Sequence, residues 1–214
     1  MSDSFNSRRA RCAKLAGMTN RPDVFTRVHQ GIRRALFEAS TALGRAQGSP
    51  EVEAAALQLF DDALLFVVRH GENEDALLLP LLDVRAPEIA ARMRAAHHRI
   101  ELELSELAAL RIHDVQMLYL RLSLFIAHYL EHMAEEELEL EPQIRAVISD
   151  AELEAESQRA VTRVDPTERI RMLRLMLPAL PLAAARAFLE KLPADAAREV
   201  AAADERLYSV NAMV

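Results

Sequence analysis

The sequence VVRHGENEDALLLPLL, residues 67–82, combines a strongly apolar run with a histidine, several acids and a proline. His70 and Glu74 are four residues apart, so both side chains face the same way if the segment is helical. Pro80 follows His70 by ten residues. Because an unpartnered polar or charged group is costly to bury, a helix of this kind needs a partner for both groups.

The same spacing occurs again in HMAEEELELEP, residues 132–142. His132 is followed by Glu136 four residues later and by Pro142 ten residues later. The pattern His-x3-Glu-x5-Pro therefore occurs twice, which indicates a duplicated structural unit rather than a chance arrangement.

Two further segments show a matching similarity. HQGIRRAL (29–36) aligns with HHRIELEL (97–104), so that His29 corresponds to His97. This register selects His97 as the inward histidine and leaves His98 facing solvent or next to the site. Each half of the repeat thus offers one histidine, followed on the next helix by a histidine with a glutamate one turn later.

Helical periodicity and composition together predict an all-α fold. Apolar positions recur at helical spacing, and glycine is rare, with five in the chain. The expected helices span about 24–43, 51–79, 87–110 and 115–148. Since the connections between them are short, the predicted architecture is an up-down-up-down four-helix bundle.

The sequence predicts three regions. Residues 1–21 lack apolar periodicity and are expected to be a disordered arm, and residues 22–148 form the bundle. Residues 149–214 are interrupted by several prolines. We expect two or three short helices there, packed on the bundle or on another subunit, so a homodimer through this C-terminal extension is one option.

Charge and cysteine usage exclude several classes of protein. The 214-residue chain has a net charge of -7, which argues against general attraction to nucleic acid or to an anionic membrane. No apolar run approaches the ~20 residues of a transmembrane helix, and the N-terminus lacks the apolar core of a secretory signal. The single cysteine, Cys12, fits a reducing cytoplasm. The bias of basic residues towards arginine favours a bacterial source.

The duplicated histidines and glutamates predict a metal site. Imidazoles and carboxylates converging from four helices suit a transition metal, and the repeat makes two metals the natural number. The predicted ligands are His29 and His70 for one metal, His97 and His132 for the other, and Glu74 and Glu136 as bridges. No residue is assigned a catalytic role. The neighbouring acids Glu135, Glu137, Glu139 and Glu141 are expected to form a solvated face.

The pattern His, His-x3-Glu, His, His-x3-Glu on successive helices resembles the hemerythrin-like, or HHE cation-binding, family over about residues 24–148. The resemblance implies a non-haem di-iron centre with an oxo or hydroxo bridge. It also implies functions that include O2 binding, O2 or iron sensing, and roles in nitrosative stress or iron–sulfur repair. The same ligand types would accept manganese or zinc. Other metal-binding bundles match less well, because no histidine follows a glutamate by three residues as in ferritin-like sites.

The chain departs from the oxygen carriers of this family in two ways. Glu101 stands where the carriers have a second histidine one turn after the ligand of the third helix. The carriers place the acid of the fourth helix five residues after its histidine, whereas Glu136 follows His132 by four, although Glu137 stands at five. In addition, Gly71 follows His70 where some other members of the family have a glutamate. His128, one turn before His132, is the candidate for an additional ligand, with Glu101 as the alternative. Tyr129 is expected near the site.

The sequence therefore predicts a protein that binds or senses O2 or a related diatomic or peroxide ligand. The alternative is a di-iron enzyme or iron donor in the response to peroxide or nitric oxide, or in iron–sulfur repair.

Overall fold

The computed structural model describes residues 23–46, 49–111, 114–202 and 207. Within these ranges the chain is almost entirely helical and contains no strand, which confirms the predicted all-α class. The arm predicted over residues 1–21 lies outside the described residues. None of the described helices is both long enough and apolar enough to cross a membrane.

Four long helices form the bundle. They are α1 (Thr26–Arg45), α2 (Pro50–Asn73, a π turn over Glu74–Leu78, then Leu79–Arg85), α3 (Pro87–Leu110) and α4 (Val115–Glu135, a π turn over Glu136–Leu140, then Glu141–Val147). Helix α1 packs against α2 and α4, and α3 packs against α4 and the end of α2. The predicted four-helix bundle is therefore confirmed.

Both π turns begin at a predicted bridging glutamate. The amide after each turn donates to the carbonyl five residues earlier, that of Glu74 in α2 and that of Glu136 in α4. A proline follows at once, Pro80 in α2 and Pro142 in α4. A proline has no amide hydrogen, and its ring collides with the carbonyl four residues earlier in a regular helix. The wider π turn accommodates it, and such turns are frequent at functional sites.

This feature corrects one predicted boundary. The sequence predicts that the second helix ends near Leu79, because a proline normally ends a helix. The structure continues α2 through Pro80 to Arg85. The π turn removes the collision that would have stopped the helix.

The core of the bundle is divided into two apolar clusters with the polar residues between them. Phe25, which immediately precedes α1, belongs to one cluster and Ile32 of α1 to the other, and His29 lies between them. On α4, Glu136 lies in the same way between Met133 and Leu140. The predicted ligands therefore form one polar layer enclosed by apolar packing from both ends.

The C-terminal extension forms four helices in the described residues, not the two or three predicted. They are α5 (Asp150–Arg163), α6 (Pro166–Met176, then a 3-10 turn over Leu177–Ala179), α7 (Leu182–Leu189) and α8 (Ala194–Ala201). Pro166 occupies the first turn of α6, while Pro181 and Pro193 immediately precede α7 and α8. Because proline is favourable at a helix start, these residues begin helices rather than merely interrupting them.

The extension packs on the bundle of its own chain, one of the two predicted alternatives. Arg69 of α2 binds Glu168 through two nitrogens, at 3.1 Å from Nε and 2.9 Å from Nη2. Arg34 of α1 donates to the carbonyl of Leu175 at 3.2 Å. Buried side chains of the extension, Leu177 and Ala185 among them, join the larger apolar cluster. A homodimer through this region stays a prediction.

Candidate metal centre

The structure brings all six predicted ligand side chains together in the polar layer. They form two groups of four, and both groups contain Glu74 and Glu136. The first group adds His29 and His70, and the second adds His97 and His132. In each group, one nitrogen or oxygen from every residue lies within 4.8 Å of the others.

The first group is the tighter of the two. Nε2 of His29 lies 2.9 Å from Nε2 of His70 and 3.3 Å from Oε2 of Glu136. Nε2 of His70 is 3.2 Å from Oε1 of Glu74. These atoms come from three different helices and point at one small volume.

The second group repeats this arrangement. Nε2 of His97 lies 3.3 Å from Oε2 of Glu74 and 3.8 Å from Oε1 of Glu136. Nε2 of His132 is 3.3 Å from Oε1 of Glu136. Each glutamate therefore turns one carboxylate oxygen to each histidine pair, which is the arrangement that a bridge between two cations needs.

The carboxylates are buried without the partners that buried charges require. Glu136 is 0% exposed, and Glu74 is nearly as enclosed. Among the described residues, neither oxygen of either carboxylate has a hydrogen-bond partner, and neither does Nε2 of His97. Five unsatisfied atoms facing one space would be strongly destabilising in a dry core. A bound cation pair would satisfy them together, so the residues present fit a metal centre.

The pKa values of the histidines show the same need for positive charge. Burial by itself would lower the pKa of His29, but the nearby carboxylates of Glu136 and Glu137 outweigh it and raise that pKa to about 9. For His97, burial is likewise outweighed by Glu136 and Glu74, and the pKa rises to about 11. Burial lowers the pKa of His70 and of His132. The surrounding carboxylates thus favour a positive charge at this place in the bundle, which a bound cation would supply.

The two glutamates differ in acidity. Burial raises the pKa of Glu74 to about 7, and the negative charge of Glu136 adds to the effect. Burial also acts to raise the pKa of Glu136, but the close approach of the His29 and His97 rings reverses this and holds the pKa well below the usual range. Glu136 is therefore the more firmly ionised of the two carboxylates.

Two further carboxylates support the histidines from outside, and neither was predicted. Nδ1 of His29 lies 2.9 Å from Oε1 of Glu137, and Nδ1 of His97 lies 2.6 Å from Oδ1 of Asp75. Such a contact fixes the ring orientation and leaves Nε2 free to face a metal. The sequence carries a signal for both residues, since each directly follows a duplicated glutamate.

The predicted solvated face on α4 needs correction at Glu137. Its side chain is 22% exposed and accepts two hydrogen bonds from Arg33, at 2.8 and 3.0 Å. Hydrogen bonding with His29 and with Arg33 outweighs the effect of burial and lowers its pKa to about 2. Glu141 is also buried, where it pairs with Arg145. Glu139 does face solvent, as expected.

The structure does not bring the predicted additional ligands to the cluster. The side chain of His128 is 62% exposed and contacts Glu103 at 3.1 Å, because its position on α4 faces outward. Glu101 is 68% exposed and lies 3.8 Å from the equally exposed His98. His98 thus faces solvent rather than supporting the site. Tyr129 is buried, and its ring centroid lies 5.5 Å from that of His132.

A small cavity of about 120 Å³ adjoins the second group. It is bordered by Gly71, His97, Tyr129 and His132, with Glu101 at its edge. A side-chain carbon added at Gly71 would meet nothing within 4 Å, so this glycine leaves the space open. Burial raises the pKa of Tyr129 well above its usual value, and the charges of the two glutamates add to this, so its hydroxyl keeps its proton.

These features define a cation-binding helical bundle. The family model of the hemerythrin HHE cation-binding domain matches residues 21–144, more than half of the chain, and the protein belongs to this family. Comparison with curated proteins and with solved structures gave no match.

Proposed function

We propose that the protein binds a pair of iron ions and uses them to bind or sense O2 or a related small ligand. His29 and His70 would hold one ion and His97 and His132 the other, with Glu74 and Glu136 bridging the two. The main support is the split orientation of the two carboxylates, each of which presents one oxygen to each histidine pair without a hydrogen-bond partner. An iron pair supplies a reversible change of oxidation state on meeting O2.

The surroundings of the cluster support a small ligand. The cavity of about 120 Å³ next to His97 and His132 suits a diatomic molecule or a peroxide better than a larger substrate. Tyr129 at its wall offers a protonated hydroxyl. Apolar clusters close the polar layer at both ends and limit the access of bulk water.

The contact between the extension and α1 supports a sensor. The backbone of Met176 in α6 packs directly against Gly31, two residues after His29. A shift of α1 at the cluster would therefore change the contact with the extension, which is what transmission of a signal from the cluster would require.

The test is reconstitution with ferrous iron without oxygen, followed by admission of air. We expect two iron ions per chain and a near-ultraviolet charge-transfer band that appears with oxygen. His70→Ala should abolish the band, while the surface change His98→Ala should leave it intact. A colourless protein without stoichiometric iron would overturn the proposal. Steady consumption of peroxide or nitric oxide would instead assign an enzyme.

A further inference from the structure

A larger cavity, of about 260 Å³, lies between the bundle and the extension. Its walls are mainly apolar and come from both regions. The side chains that shape it most are Phe66 and Leu77 from the bundle, and Leu153, Met172, Met176 and Phe188 from the extension. His70 and Glu74 are among its lining residues, so it adjoins the cluster at His70, whereas the smaller cavity adjoins it at His97 and His132.

The size of the cavity is suited to an organic molecule. Apolar protein cavities of about 150 Å³ stay dry and can bind benzene. A cavity of about 260 Å³ has room for two fused rings or a branched chain of similar volume. A diatomic ligand would leave most of the space unfilled.

The charges around the cavity favour a neutral ligand. At the mouth, Arg27 pairs with Asp23 at 3.4 Å and lies over the ring of Phe188 at 5.9 Å, while Glu156 pairs with Arg159 at 2.8 Å. Among the described residues that border the cavity, Arg27 is the one lysine or arginine, and it is already paired, so an anion would gain little there. The uncharged polar side chains in the wall are Asn73 and Ser157, which suit one hydroxyl or carbonyl group.

We propose that this cavity binds a small, neutral, largely apolar organic molecule with a single polar group, such as a substituted phenol or a cyclic alcohol. The extension completes the binding site, because half of the apolar wall comes from α5, α6 and α7. The site needs no metal for its affinity. It therefore goes beyond the proposed function and can fail or succeed separately from it.

The first experiment compares two probes that share a ring system, 1-naphthol and naphthalene-1-sulfonate, by calorimetry on the full-length protein as purified, with its metal content measured alongside. We expect saturable binding of one 1-naphthol per chain and at least tenfold weaker binding of the sulfonate. The chain has no tryptophan, so the fluorescence of 1-naphthol can be followed as a second readout. Absence of saturable 1-naphthol binding, or equal binding of the sulfonate, would overturn the proposal.

The second experiment locates the bound probe. Ala160 of α5 borders the cavity, whereas Ala155 on the same helix is exposed, so Ala160→Phe should weaken 1-naphthol binding at least tenfold and Ala155→Phe should not. Val28→Phe fills the same space from α1. Circular dichroism checks that each variant folds. A folded filling variant that binds as tightly as Ala155→Phe would contradict the proposal.

A measurement on the unaltered protein covers the case in which neither filling variant folds. The ring protons of bound 1-naphthol should show nuclear Overhauser effects to the methyl group of Met172, which borders the cavity. Effects confined to residues elsewhere on the surface would overturn the proposal.

Discussion

The two halves of the candidate metal centre have the same side chains but different surroundings. The half with His29 and His70 adjoins the apolar cavity that the extension covers. The half with His97 and His132 adjoins a smaller cavity next to Gly71. The supporting carboxylates differ as well, since Glu137 on the first half is held by Arg33, while Asp75 on the second half is 42% exposed.

This comparison shows which features of the site the repeated motif makes alike in both halves and which it does not. The repeat reproduces the ligand types, the π turns and the supporting carboxylates. It does not reproduce the space next to each group of candidate ligands, because that space depends on the extension and on single residues such as Gly71. Two chemically alike groups of candidate ligands thereby adjoin different cavities, a larger apolar one at His70 and a smaller one at His97 and His132.

The largest expected effect comes from a residue that both halves share. Glu136→Gln keeps the shape of the side chain but removes the charge, and we expect it to lower bound iron by at least half, as measured by elemental analysis after anaerobic reconstitution. The physical reason is that Glu136 contacts both histidine groups and is the more firmly ionised bridge. Glu139→Gln, on the exposed side of the same helix, is the control. Full iron content in Glu136→Gln would refute a bridging role.

Variants of the two supporting carboxylates should lower metal affinity by different amounts in the two halves of the site. Removing such a partner typically lowers metal affinity about 10–100-fold. We expect the loss of metal affinity to lie at the upper end of this range for Glu137→Gln and at the lower end for Asp75→Asn. The reason is that Glu137 is fixed by two hydrogen bonds from Arg33. Zinc titration against a chelator measures both.

The control for this pair is Glu135→Gln, whose side chain contacts Arg92 rather than a histidine. If both variants bind zinc as the unaltered protein does, the carboxylates do not support the site. Equal losses in both would remove the predicted asymmetry.

Gly31 tests the half with His29 and His70, which the extension covers. A side-chain carbon added there would lie 2.8 Å from Cα of Met176 and 2.9 Å from Cε1 of Phe66, so α6 would have to move. Overpacking of this kind costs about 1–3 kcal/mol. We expect Gly31→Ala to lower the free energy of unfolding by that amount in urea titration and to expose the extension to limited proteolysis. An unchanged proteolysis pattern would show that the extension is not held by this contact.

Gly71 tests the half with His97 and His132. The expected effect is the smallest of the four, and it is a gain of stability rather than a loss. Its added carbon would meet nothing within 4 Å, and the residue lies inside a helix. Since alanine is favoured over glycine in a helix interior, Gly71→Ala should stabilise the metal-free protein by about 0.5–1 kcal/mol. A loss of stability would mean that the open space next to His97 is required by the fold itself.

The site was more predictable than the end of α2. The six candidate ligands follow from spacing alone, because residues four apart share a helix face and a repeat places equivalent residues in equivalent positions. The extent of α2 was mispredicted, since a proline usually ends a helix and only the π turn before Pro80 allows it to continue. His128 was a candidate ligand because it lies one turn before His132, but its side chain faces outward and contacts Glu103 instead of the cluster.

The sequence by itself determined the all-α class, the family and the six side chains that converge, because these depend on local periodicity and on a motif that repeats. Tertiary structure alone decided which carboxylates support His29 and His97, since those contacts join different helices. It also decided that the extension covers one half of the site, through the contact of Met176 with Gly31 and the ion pair of Arg69 with Glu168. Contacts between distant parts of the chain depend on how whole helices pack, and spacing within a segment carries no record of that packing.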